Sequence, residues 1–208
     1  MVKVNAPALS LDASGSIAGT LVFSKWKGRN YVRELVKPAN PRSGGQVGMR
    51  AAMKFLAQQW AGLLDAEKAT WEDRAANLVA SEFNAFVSYN LFRARNFLAP
   101  SKEDPAGAAG TIATLSGASA TAGVRSITYE DTVTVVNDNW AVAIYRGTAP
   151  GFSTAYDNLI AIVEASSAAS FAYVDSPLAP GKYYYNSRCI TEDGLLGAEE
   201  GEVNATVV

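Results

Sequence analysis

Histidine is missing from this 208-residue chain, and cysteine occurs once, at Cys189. Without histidine the chain lacks the most frequent metal ligand and the usual general base. Ser–His and Cys–His nucleophile pairs are excluded, as are zinc sites built from cysteine and histidine. A lone cysteine makes no internal disulfide, so stability must come from packing. No apolar run approaches the roughly 20 residues that span a bilayer. The opening Met1-Val2-Lys3-Val4-Asn5-Ala6-Pro7 lacks the continuous apolar stretch of a secretory signal, so the expectation is a protein made and kept in a cytoplasm. No cofactor and no membrane contact are expected.

What is present points to a folded chain, since charged residues are 18% and hydrophobic ones 49%. The net charge of −2 hides a gradient. Residues 1–60 hold nine Lys/Arg against two Asp/Glu, residues 61–100 four against five, and residues 101–208 five against thirteen. A basic end and an acidic end suit head-to-tail contact between copies, or a basic face meeting an acidic partner. Two separately solvated surfaces of opposite sign are the plain alternative.

Residues 1–14 alternate weakly and read as an extended arm that is ordered when it pairs with something. Gly19–Trp26 and Arg29–Val36, rich in β-branched and aromatic residues and separated by Lys27-Gly28, read as a β-hairpin. Lys25, Trp26, Lys27, Arg29, Tyr31 and Arg33 crowd its tip, and with Arg42 and Arg50 they form the candidate partner interface. Pro38-Ala39-Asn40-Pro41 stops the second strand. Ser43 can cap a helix to about Leu64, with Met49, Ala52, Met53, Leu56, Trp60, Leu63 and Leu64 as one apolar stripe. Asp65 can cap a second helix through Trp71 and Ala75. Ser81 can cap a third, with Phe83, Phe86, Val87, Asn90, Leu91 and Ala94 inward. Phe55 lies off the main stripe of its helix and Phe92 and Phe97 at the edge of theirs, where they either fill a partner's groove or widen a core-facing stripe. The expectation is an α+β N-terminal domain, hairpin plus three helices, over 1–98. A Pro/Gly-rich linker follows at 99–110.

From Thr111 onward short strand-like runs alternate with turn signals, the pattern of an all-β sandwich over 111–208. Strands are expected near 111–116, 124–129, 132–136, 140–146, 158–164, 170–174, 182–191 and 200–208, with room for two of them to be one bent strand. Pro180-Gly181 turns the chain into a strand that begins with Tyr183. That is the setting of a tyrosine corner, in which the phenol bonds back to the preceding loop, with Tyr184 as the alternative corner residue. Alternation places Tyr183, Tyr185, Ser187 and Cys189 on the inner face and makes Cys189 a buried core thiol. Trp140 is expected between the two sheets or at the sandwich end.

Ile144-Tyr145-Arg146-Gly147, Leu178-Ala179-Pro180-Gly181-Lys182-Tyr183-Tyr184-Tyr185 and Glu192-Asp193-Gly194-Leu195-Leu196-Gly197 resemble the fibronectin type III family over about residues 111–208. The turn before the first tyrosine is one residue shorter than the family's, and no tryptophan falls between 111 and 139. The resemblance implies adhesion, spacing or surface decoration and no chemistry. Trp26-Lys27-Gly28, Val32-Arg33, Pro38-Ala39-Asn40-Pro41-Arg42, Gln46, Arg50, Trp60-Ala61-Gly62-Leu63, Trp71, Ala75 and Phe83-Asn84-Ala85-Phe86 resemble the N-terminal part of structural proteins of tailed bacteriophages. That resemblance implies a virion context, with other virion subunits as partners and many copies assembled together.

Chemistry finds little support in the remaining motifs. Gly44-Gly45-Gln46-Val47-Gly48 lacks both the Gly-Lys-Ser/Thr ending of a phosphate loop and dinucleotide spacing, and reads as flexibility at a helix start. Glu103-Asp104, Glu130-Asp131, Glu192-Asp193 and Glu199-Glu200 are adjacent pairs, which a strand sends to opposite faces. No spaced set of oxygen ligands suggests a calcium loop. The expectation is a non-enzymatic virion protein of head, neck or tail that anchors by its basic end and projects the sandwich. The alternatives are nucleic-acid binding by the hairpin and glycan or receptor binding by sandwich aromatics such as Tyr184 or Phe152.

Overall fold

The computed structural model describes residues 2–3, 15–17, 19–37, 39–107, 110–134, 139–165 and 168–208. Contacts divide the chain into two compact units, Met1–Pro41 and Arg42–Val208.

The first unit is an antiparallel four-stranded sheet in the order β1-β4-β3-β2, from β1 (Val2–Lys3), β2 (Gly15–Ile17), β3 (Leu21–Trp26) and β4 (Arg29–Glu34). The hairpin expected from sequence is β3–β4. Its two-residue turn has Lys27 at φ 48° and Gly28 at φ 75°. Both angles are positive, the requirement of the turn whose twist matches paired strands. Of the expected extended arm, Val2 and Lys3 pair with Val32 and Tyr31, while 4–14 lie outside the described residues. None of the described side chains of β2, β3 and β4 is buried.

The second unit holds four helices and the remaining strands. A three-stranded sheet, β5-β6-β9, combines β5 (Leu115–Gly123), β6 (Ser126–Val133) and β9 (Ser170–Asp175). The other sheet runs β11-β10-β7-β8, from β7 (Asn139–Gly147), β8 (Leu159–Glu164), β10 (Gly181–Thr191) and β11 (Leu196–Glu199), and β12 (Val203–Val207) also pairs with β10. The runs expected near 124–129 and 132–136 are one strand, β6, as far as Val133, and 135–136 lie outside the described residues. The strand expected near 200–208 is β12, and β11 is a further strand, not among those expected.

The two sheets enclose a core of Ile127, Tyr129, Val142, Ile144, Tyr185 and Cys189. A second core lies on the opposite side of the β7–β10 sheet. There Ala141, Ala143, Tyr145 and Ile190 meet Phe55, Leu56, Trp71 and Phe86 of the helical segment. The unit therefore has three layers, helices over sheet over sheet. Burial on both faces explains why Trp140-Ala141-Val142-Ala143-Ile144-Tyr145 is a continuous apolar run instead of an alternating one.

This arrangement corrects the domain boundaries. The helices do not join the hairpin in a 1–98 domain, because their apolar stripes are covered by the sandwich. The stretch expected to be a linker, 99–110, is a strap where it is described. The Asn90 amide donates to the Ser101 carbonyl (3.0 Å) and its Oδ1 accepts from the Ser101 N–H (2.8 Å), both residues being fully buried. Trp71 Nε1 donates to the Lys102 carbonyl (2.9 Å), and Arg74 grips Asp104 through two bonds of 2.7 and 2.8 Å. Pro/Gly composition signals the irregular backbone here but says nothing of these anchors. Residues 108–109 lie outside the described ones.

The helices are α1 (Gly44–Gly62), α2 (Asp65–Ala69), α3 (Glu72–Leu78) and α4 (Glu82–Arg95). Where one second helix was expected there are two. They part at Thr70-Trp71, where the Thr70 hydroxyl turns back to the Glu67 carbonyl (2.6 Å) and accepts from the Asp104 N–H (3.1 Å). Ser81 caps α4 by accepting from the Asn84 N–H.

Candidate partner-binding face

Residues directly opposite one another on paired strands share a face, and so do residues two apart on one strand. The β3–β4 register pairs Trp26 with Arg29, Ser24 with Tyr31 and Val22 with Arg33. One face of the sheet therefore carries Val22, Ser24, Trp26, Arg29, Tyr31 and Arg33. The other carries Leu21, Phe23, Lys25, Asn30, Val32 and Glu34, extended by Ile17 through its pairing with Leu21. The hairpin is thus two-sided, with a cationic-aromatic face and a largely apolar one. Trp26 is 65% exposed, and the Lys27 ammonium lies 4.8 Å from the centre of its ring.

Of the eight interface candidates, the structure brings Trp26, Arg29, Tyr31 and Arg33 onto one face. Lys25 lies on the opposite face and Lys27 in the turn. Arg42 and Arg50 belong to the second unit. Close in sequence, the six hairpin residues look like one cluster until the register separates them.

Within the second unit, the structural candidates are placed as follows. The Tyr183 hydroxyl donates to the Ala179 carbonyl at 3.0 Å, the bond of a tyrosine corner across Pro180-Gly181. Tyr185, two residues on and fully buried, donates to Asp175 (2.9 Å), which also receives Arg146 (2.6 Å). Cys189 is buried, and desolvation pushes its thiol up to about 12.

Trp140 is a correction. It does not lie between the sheets but packs on α1, its ring 4.9 Å from that of Phe55 and its Nε1 donating to Gln59 Oε1 (2.8 Å). The pairing of β7 with β10 shows why. Ile190 opposes Ala141 and Thr191 opposes Asn139, so Trp140 is an extra residue, and the bulge turns it to the helix side. Phe55, one of the residues considered for a partner's groove, is buried in the same place, whereas Phe92 and Phe97 remain exposed.

The glycines in the first turns of α1 are a second correction. They admit close backbone approach. A Cβ on Gly48 would lie 2.5 Å from the Tyr156 carbonyl oxygen, and one on Gly44 would run into the Asp157 carbonyl. Phe152, considered for glycan contact, is packed on Gly147, which has no room for a Cβ beside that ring.

Glu130 and Asp131 do point to opposite faces, Glu130 exposed and Asp131 buried. Asp131 accepts from Tyr129 (2.9 Å) and Ser187 (3.0 Å), an interior network that fixes the two sheets against each other. Among the described residues no group of three or more His, Cys, Asp or Glu is gathered to hold a metal, and no helix is long and apolar enough to cross a membrane. An open groove of about 470 Å³ runs between α1 and β8, lined by Lys54, Gln58, Gln59, Glu164 and Tyr173 among others. Its polar groups include the Gln59–Glu164 hydrogen bond of 3.0 Å.

No family model matches the sequence, and no curated protein matches it. Three solved structures are similar to it in part. One is a β-1,2-glucanase from Parabacteroides distasonis, at 18% identity and TM-score 0.35, matched over 48% of this chain and 13% of that one. Another is OgpA from Akkermansia muciniphila, at 11% identity and TM-score 0.35, over 48% and 29%. The third is the PKD domain of an M14-like peptidase from Thermoplasmatales archaeon SCGC AB-540-F20, at 14% identity and TM-score 0.33, over 48% and 98%. The chain thus spans less than a third of the first two proteins.

Proposed function

We propose that this chain is a non-enzymatic structural protein of a bacteriophage virion. The N-terminal sheet anchors it on neighbouring subunits, and the second unit is a fibronectin type III-like sandwich braced by its own helices. The observation that carries the anchoring role is the cationic-aromatic face, with Trp26, Arg29, Tyr31 and Arg33 on one side of a sheet that buries none of them. Trp, Tyr and Arg are the residues that dominate protein–protein contact energy. The packing of a three-stranded sheet on a five-stranded one and the Tyr183–Ala179 bond support the fibronectin-like reading. Charge reversal by Arg29→Glu with Arg33→Glu is expected to abolish incorporation into particles, measured by immunoblot of purified virions. Normal incorporation would refute the anchoring role.

The interleaving of arginine with two aromatics on one face also favours a second reading, contact with single-stranded nucleic acid. That reading requires binding that weakens steeply with salt, and it fails if no complex forms at low ionic strength.

A further inference from the structure

We infer that the cationic face of the N-terminal sheet docks on the acidic β11–β12 turn of a second copy of this chain, building a head-to-tail assembly. The inference rests on the anchoring role above and names its partner.

Charge complementarity is its first support. Met1–Pro41 carries six Lys/Arg against two Asp/Glu, and Arg42–Val208 twelve against eighteen. The contrast sharpens at the two surfaces. Arg29 and Arg33 flank Tyr31 along β4 at a spacing of about 13 Å, from roughly 3.3 Å per residue, and Trp26 stands opposite Arg29. The one carboxylate on this hairpin, Glu34, is on the other face. On the turn, Glu199, Glu200 and Glu202 place three carboxylates within four residues, with Glu199 and Glu202 exposed.

These carboxylates are held in place by neutral groups. Glu199 accepts from the Thr154 hydroxyl (2.5 Å) and the Asn186 amide (3.1 Å), and Glu202 from the Gly151 N–H (2.8 Å). Arg188, paired with Glu199 across β10–β11, donates to the Gly197 carbonyl (2.7 Å) and Thr154 (3.4 Å) and balances part of the Glu199 charge. Three carboxylates against this one guanidinium leave the turn net negative. Two arginines bracketing aromatic rings form the positive, hot-spot half of such a contact, and the acidic turn forms the other half. Like charge opposes pairing of two cationic faces. The contact joins different surfaces of one chain, so it is heterologous and either closes into a ring or runs on as a filament.

The test uses the full chain in sedimentation velocity. Wild type is expected to associate with rising concentration at low ionic strength, the association weakening about tenfold or more between 50 and 500 mM salt. Arg29→Glu/Arg33→Glu and Glu199→Lys/Glu202→Lys are each expected to stay monomeric alone, with unchanged far-UV circular dichroism. Their equimolar mixture is expected to associate again, because reversed meets reversed and native meets native. A mixture no better than its components overturns the inference, whereas renewed association in the mixture also excludes docking within one chain. Salt-independent association of wild type overturns it without relying on any variant. A wild-type monomer that shifts DNA in a gel overturns it in favour of nucleic acid. If the mixture fails to associate while Arg29→Glu/Arg33→Glu is still lost from particles, the anchoring role stands and its partner is another subunit.

Discussion

Gly48 offers the sharpest test of how the helices are mounted on the sandwich. In a helix interior, glycine to alanine gains about 1 kcal/mol from backbone propensity alone. At Gly48 the new methyl would meet the Tyr156 carbonyl oxygen at 2.5 Å and the Tyr156 ring at 3.5 Å, and the oxygen belongs to backbone that cannot swing aside. Overpacking of this kind costs about 1–3 kcal/mol. The net expectation for Gly48→Ala is a loss of up to about 2 kcal/mol, and a Tm lower by up to about 8 °C at roughly 2–4 °C per kcal/mol for a unit of this size. Gly62, at the other end of the same helix, has nothing within 4 Å of the position a Cβ would take. Gly62→Ala is therefore the control and is expected to stabilise by up to about 1 kcal/mol. Equilibrium urea unfolding followed by tryptophan fluorescence reads both variants, since Trp71 and Trp140 are buried in the core that α1 covers. A Gly48→Ala protein as stable as Gly62→Ala would refute the close-approach account.

Two further outcomes follow from the tyrosines and the thiol. Tyr183→Phe removes one partly exposed bond to the Ala179 carbonyl and is expected to cost about 0.5–1.5 kcal/mol, whereas Tyr185→Phe also strips a partner from buried Asp175 and should cost about 1–3 kcal/mol in the same urea assay; an equal or reversed order would contradict the assignment of the corner to the outer tyrosine. Burial pushes Cys189 and Tyr145 up to about 12 and raises Tyr129 and Tyr185 further. Folding thus favours their protonated forms, and this stability is complete below about pH 9 and lost as pH rises through 12. Alkaline unfolding in that window is expected to coincide with late tyrosinate absorbance and with the first reaction of Cys189 toward a thiol reagent, and a thiol that reacts rapidly in the native protein at pH 8 would contradict its burial.

Local signals carried much of the fold. The Lys27-Gly28 turn, the Ser81 cap and the Pro180-Gly181-Lys182-Tyr183 corner each depend on a few neighbouring residues, so they were readable one stretch at a time. What was not readable depends on pairing between distant segments. Strict alternation sends Trp140 toward the other sheet, and only the register with β10 reveals the bulge that turns it toward Phe55. Asn90 looked like one more inward residue of a helix, yet it holds a strap that composition marks as a linker. The candidate face was visible as a set of residue types. Its division into a cationic side and an apolar side required the β3–β4 register.

The position of the domain boundary is itself testable, because the two divisions of the chain assign the outer surface of the β7–β10 sheet differently. If the sandwich ended at its own core, residues 111–208 would fold alone. In the structure Trp140, Tyr145, Leu159 and Ile190 are buried in the core shared with the helices. Burying each large apolar side chain contributes about 1.5–3 kcal/mol, so exposing four removes on the order of 6–12 kcal/mol, an upper estimate. That is comparable to the whole stability of an ordinary domain, about 5–15 kcal/mol. A fragment of 111–208 is therefore expected to bind a hydrophobic dye and aggregate, while one of 42–208 unfolds cooperatively with a urea midpoint close to that of the full chain. A monomeric 111–208 fragment with an unchanged midpoint would show that the helices are passengers. The opposite result means that the helices complete the sandwich.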